Sequence, residues 1–207
     1  MPAHGLQSMP DAALLLARMQ THHRQSGMTL IELMVAVAIL GILLAIGIPS
    51  MRNMSETEAV RGHMNTFFST LRYARSEAIR NRAQVVICPS NNSESASPSC
   101  ATGTLAANPW NIGWIVFVNR DGDEDYLFDA TKDTLVRVQG PINTSGGIVK
   151  NSGTNKLVYR STGILLSGGS SSFFFDAVSR NANQKKRVCI SLQGRPRVSA
   201  DTDECGD

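Results

Sequence analysis

Residues 28–48 form one apolar run whose only charged side chain is Glu32. As a helix, twenty-one residues at 1.5 Å rise would extend roughly 31 Å, the thickness of a bilayer's hydrocarbon core. One helix from this run can therefore span a membrane. A carboxylate inside such a span costs about 2.5–3.5 kcal/mol at mid-membrane and less near the interface, so an intramembrane glutamate calls for a partner or a route back to the headgroups. A secretory signal would instead carry an apolar region of about 7–15 residues before its small-residue cleavage site. Ala45-Ile46-Gly47 could supply the small residues, but the run is too long and Glu32 interrupts it. Arg18 and Arg24 before the run favour a cytoplasmic leader, a bias that Arg52 and Arg61 beyond it weaken.

The rest of the 207-residue chain can bury one modest core, and its formal net charge of +3 is too small to imply a nucleic-acid partner without local clustering. Four cysteines, Cys88, Cys100, Cys189 and Cys205, show no C-x-x-C spacing of a zinc or thioredoxin-type site. Two structural disulfides fit better and place the domain in an oxidising compartment. The short closures Cys88–Cys100 and Cys189–Cys205 suit local loops, whereas a Cys88–Cys189 bond would staple the strand layer.

Gly41 lies inside the apolar run and Pro49 closes it. Glycine weakens a helix interior by about 1 kcal/mol and proline removes a hydrogen bond, so the stretch between them is primed to bend or melt. Beyond it Val60, Met64, Phe67, Leu71, Ala74 and Ala78 recur at helical spacing, with Arg61, Arg72, Arg75 and Arg80 outside that stripe. Phe67 and Phe68 read as core residues. Strand-like runs then follow at 85–87, 114–118, 134–138, 156–160, 172–175 and 187–191, with loops expected at 89–108, around Ser145-Gly146-Gly147 and over 167–172. The expected class is α+β, a long N-terminal helix packed against an antiparallel sheet. Its divisions are 1–27, 28–48, 49–84 and a β-rich part at 85–207.

The segment Gly27-Met28-Thr29-Leu30-Ile31-Glu32-Leu33-Met34-Val35 resembles the processing site of type IV pilins and type II secretion pseudopilins. The resemblance implies that residues 1–27 are a leader removed by a prepilin peptidase cutting after Gly27, and that Met28 becomes methylated. It further implies that Glu32 pairs with the N-terminus of a neighbouring subunit, that Gly41 and Pro49 bound a segment that melts in the fibre, and that the fold is type IV pilin-like. Further along, Trp110, Gly113-Trp114, Phe117, Asn119-Arg120-Asp121-Gly122-Asp123, Gly163, Ile190-Ser191 and Gly194-Arg195 resemble the GspH/FimT family of minor pilins and pseudopilins. Members are inner-membrane precursors with the globular domain in the periplasm; they join a filament and have no catalytic activity. No cofactor is implied, and the implied partners are other pilin or pseudopilin subunits and the peptidase.

Asp121, Asp123 and Asp125 alternate as in a calcium loop, but Tyr126 stands where an EF-hand needs glycine and Lys132 where it needs glutamate. An acidic turn explains them better, and no metal is expected. After leader removal His63 is the only histidine, and no Ser/His/Asp or Cys/His set is visible, so the chain reads as a non-enzyme. In Gly194-Arg195-Pro196-Arg197 an extended backbone would place Arg195 and Arg197 on one face, inside the Cys189–Cys205 closure, with Lys185, Lys186 and Arg187 just outside it. Proline keeps this piece out of a central strand. The tetrapeptide resembles the glycine-arginine-any-arginine motif of FimT-type minor pilins, which implies contact with double-stranded DNA; the alternative is a solvated loop neutralised by Asp201, Asp203 and Glu204.

Overall fold

The computed structural model describes residues 27–102, 110–142, 147–150, 155–166, 171–176, 185–199 and 205. Helix α1 runs Leu30–Asn81 and is followed by β1 Gln84–Pro89, β2 Trp114–Asn119, β3 Thr134–Gln139, β4 Gly147–Lys150, β5 Leu157–Tyr159, β6 Ser171–Asp176, β7 Lys186–Ile190 and β8 Pro196–Ser199. Two compact units divide the chain, one up to Gly47 and the other from Ile48. In the first, every described side chain is exposed, the apolar ones included. In the second, α1 buries Val60, Met64, Phe67, Leu71, Ala74 and Ala78, the stripe that helical spacing marks out.

The strands form two antiparallel four-stranded sheets, ordered β3-β2-β1-β5 and β4-β6-β7-β8. The first sheet is covered on both faces, and period-2 geometry shows how. Val85 and Ile87 of β1 with Trp114, Val116 and Val118 of β2 join the α1 stripe, while Val86, Cys88, Ile115 and Phe117 pack against Cys100, Tyr126, Leu127 and Phe128. That double cover is why β1 and β2 are nearly continuous apolar runs rather than alternating ones. A bulge at Val116/Phe117 shifts the β2–β3 register.

The second sheet meets the same core through Ile148, Phe173, Phe175, Val188 and Ile190. Phe67 is the hub. Its ring lies 5.5 Å from Trp110 and 5.3 Å from Trp114, both edge-on, and 4.6 Å from Phe173. Helix α1 stops at Asn81, whose Nδ2 donates to the Glu77 carbonyl at 2.9 Å, and Arg82 adopts the left-handed conformation (φ +52°) that commonly ends a helix.

Several loop expectations are corrected. Gly147 opens β4 and is buried, and Ser171 and Ser172 are buried in β6 rather than in an exposed turn. Burial there follows from pairing, because Gly147 stands opposite Asp176 and Ser172 opposite Cys189. Residues 103–108, 143–146 and 167–170 of those expected loops lie outside the described residues, as do residues 1–26 of the leader.

Candidate assembly helix and basic surface

Gly27 and Met28 are exposed and precede the helix, so the bond between them lies in non-helical backbone. Thr29 caps α1: its Oγ1 accepts the Glu32 amide at 3.3 Å and its carbonyl accepts the Leu33 amide at 3.2 Å. Glu32 thus occupies the third helical position of a T-x-x-E start, where a negative charge also suits the positive end of the helix dipole. The segment is long and apolar enough to cross a membrane. Gly41, Gly47 and Pro49 all lie within α1, so the helix continues through the proline that ends the apolar run.

Disulfides join Cys88 to Cys100, with Cα atoms 5.5 Å apart, and Cys189 to Cys205, 5.6 Å apart. The first anchors the loop that covers the outer face of β1. The second ties residue 205 to β7, one strand in from the edge strand β8. Asp201, Asp203 and Glu204 lie outside the described residues.

The basic residues of the second sheet do not form one cluster. Arg197 stands opposite Cys189 and Arg187 opposite Ser199, so period-2 geometry puts both arginines on the side away from core residues Val188 and Ile190. The Arg187 guanidinium stacks 4.4 Å from the Phe174 ring centroid. Lys185 pairs with Asp176 at 3.5 Å, and Lys186 stands opposite Phe175. Arg195, by contrast, sits in the β7–β8 turn, before the extended pairing of β8 begins. The turn is closed by the Gly194 amide donating to Ser191 O at 2.8 Å and the Ser191 amide donating to Arg195 O at 3.2 Å.

That turn is docked on α1. Gly194 has φ +73°, and a side chain there would come 2.3 Å from the Gly163 carbonyl oxygen and 2.8 Å from the Tyr159 ring. The same Gly163 carbonyl accepts Arg75 Nε at 3.0 Å. Helix residues Arg72 and Arg75 thereby come to the same groove as Arg195, a juxtaposition that sequence reading missed. Its only sequence trace was a pair of arginines three apart, outside the apolar stripe.

At the other end of β2 the acidic turn is satisfied largely by its own loop. Asp125 Oδ1 accepts the Leu127 amide at 2.8 Å, Asp129 Oδ1 accepts the Thr131 amide at 2.8 Å, and Lys132 reaches Asp121 at 3.2 Å. Burial, then the neighbouring Asp125 and Asp121 charges, push the Asp123 carboxyl up, while the hydrogen bonds from Thr131 hold Asp129 down. Among the described residues no group of three or more His, Cys, Asp or Glu is placed to hold a metal ion.

The chain thus combines an apolar helix of membrane length with a helix-and-two-sheet domain closed by disulfides. The chain belongs to the family described as type II transport protein GspH, a pilin and pseudopilin family, which matches residues 63–194; the prokaryotic N-terminal methylation motif matches residues 22–48. Two crystal structures of the type IV minor pilin FimU from Pseudomonas aeruginosa are similar at 17% identity. One has a TM-score of 0.49 and covers 76% of this chain and 98% of FimU; the other has 0.47 and covers 74% and 99%. No curated protein matches the chain.

Proposed function

We propose that this protein is a non-catalytic minor pilin that is incorporated into a type IV pilus and contributes to its assembly. The observation that carries the reading is the apolar run 28–48, with Glu32 as its only charge, every side chain exposed and a methylation motif overlying it. An uncovered apolar helix needs first a bilayer and then the helices of other subunits. A prepilin peptidase cuts after Gly27 at the inner membrane, and Met28 is methylated. Glu32 then offers the carboxylate that a neighbouring N-terminal amine neutralises, and Gly41 and Pro49 bound the part of α1 that loses helicity in the fibre. Exposed Arg195 and Arg197 contact double-stranded DNA brought in by the pilus at the cell surface, and Lys185, Lys186 and Arg187, at or just before β7, add positive charge to the same sheet without joining them in one cluster. The second reading is a minor pseudopilin of a type II secretion system, and the description of the matched family favours it.

Deleting the gene in its host and scoring piliation, DNA uptake and protein secretion side by side separates the two. The pilus reading expects loss of piliation and uptake with secretion intact; loss of secretion alone selects the pseudopilus. Complementation with Glu32→Gln sharpens the test, because glutamine suits the third helical position while removing the charge. It should insert and fold as the parent does yet fail to restore the filament. Full restoration would remove Glu32 from assembly.

A further inference from the structure

A groove of about 410 Å3 opens between α1 and the β7–β8 turn. Arg72 and Arg75 line it from the helix and Arg195 from the turn, over walls that include Phe68, Ile79 and Pro196. Arg72 and Arg75, three residues apart, share one helix face. The Arg75 Nε bond to Gly163, and the contact of Gly194 with that same carbonyl, hold the third arginine against the first two. Three exposed cations elsewhere sit next to carboxylates: Arg61 with Glu58, Arg80 with Glu77 and Lys132 with Asp121. Among the described residues, no ion pair engages Arg72, Arg75 or Arg195. Three like charges gathered on one groove repel one another, and an anion bound between them relieves that repulsion.

We infer that this groove is a phosphodiester site in which the helix residues Arg72 and Arg75 complete the contact with DNA that Arg195 begins. The inference rests on the DNA reading given above and changes its geometry. Guanidinium forks match phosphate oxygens, and three of them exceed what the two oxygens of a lone carboxylate can engage. Successive phosphates along a strand can occupy all three. Phe68, Ile79 and Pro196 offer apolar surface to the intervening sugars. Arg197 lies outside this lining, on β8 opposite Cys189, so its contribution is separable from that of the groove. Contacts of this kind position the backbone and read no bases, so sequence preference is absent.

Arg72 is the cleanest position to test, since it is exposed and its side chain makes no hydrogen bond or ion pair among the described residues, whereas Arg75 also holds the turn. Binding of the full chain in detergent micelles to a labelled duplex is followed by fluorescence anisotropy across a salt series. Intact folding of each variant is checked by circular dichroism. Arg72→Ala should weaken binding of every sequence alike and make the slope of log K against log salt shallower by about 0.9, as Arg195→Ala should; Arg72→Glu should weaken it further. If Arg195→Ala loses affinity while Arg72→Ala and Arg72→Glu keep the parent's affinity and slope, the groove proposal fails and the DNA reading stands. If the parent does not bind at low salt, both fail. Arg72-dependent binding of polyglutamate, with duplex binding indifferent to Arg72, would assign the groove to an acidic protein segment and overturn the proposal.

Discussion

Tyr159 is fully buried in the core, and its hydroxyl has no hydrogen-bond partner among the described residues. Burial pushes its pKa well above the ordinary tyrosine value, and the nearby Arg75 charge opposes this without cancelling it. The folded chain therefore retains the phenolic proton at pH values where the unfolded chain has lost it. By linkage, Tyr159 lowers stability as pH rises above about 10, the ordinary tyrosine pKa, and has no such effect at neutral pH. Tyr159→Phe removes both the unsatisfied hydroxyl and the titration. Thermal unfolding in detergent should show the variant about 1 kcal/mol more stable at neutral pH, with the advantage widening above pH 10. A less stable variant would mean that the hydroxyl has a partner. At this scale the sequence reveals chemistry but not company. Arg195 was visible as part of a motif and Arg72 as an off-stripe arginine, yet only the fold brings residues so distant in sequence to one groove.

Phe67 shows how an element is fixed by a single contact set. Its ring touches Trp110, Trp114, Phe173 and Phe175, so helix α1, the first sheet and the second sheet converge on it. Phe67→Ala should cost about 3–5 kcal/mol, whereas substitution of exposed Ser69, two residues away, should change stability by no more than about 0.5 kcal/mol. Equal effects in denaturant titrations would contradict this packing. The α1 stripe was legible from its helical period, and the strands β1, β2, β3, β5, β6 and β7 as short runs rich in β-branched and aromatic residues set between turn residues. β4 was hidden by its glycine-led start, and β8 by Pro196, which an edge strand tolerates. The division into two sheets was not legible at all. Such a run identifies a strand, while pairing depends on contacts far apart in the chain.

Across the whole molecule, the two units differ in what they leave exposed. The unit from Ile48 onward buries its aromatic core and closes loops with disulfides, whereas the described residues of the other leave Leu30, Ile31, Leu33, Met34 and Val35 uncovered around Glu32. The apolar run was legible in the sequence because it depends on length and composition alone. On the function proposed above, its fate depends on processing at Gly27, which would expose a Met28 amine four residues before Glu32. The most direct measurement is the intact mass of the protein extracted from membranes of its host, with fragmentation of its N-terminus. The account predicts a mature chain that begins at Met28 and carries one added methyl group on its amine. A chain that retains residues before Gly27, or one that begins near Pro49 after ordinary signal cleavage, would contradict it.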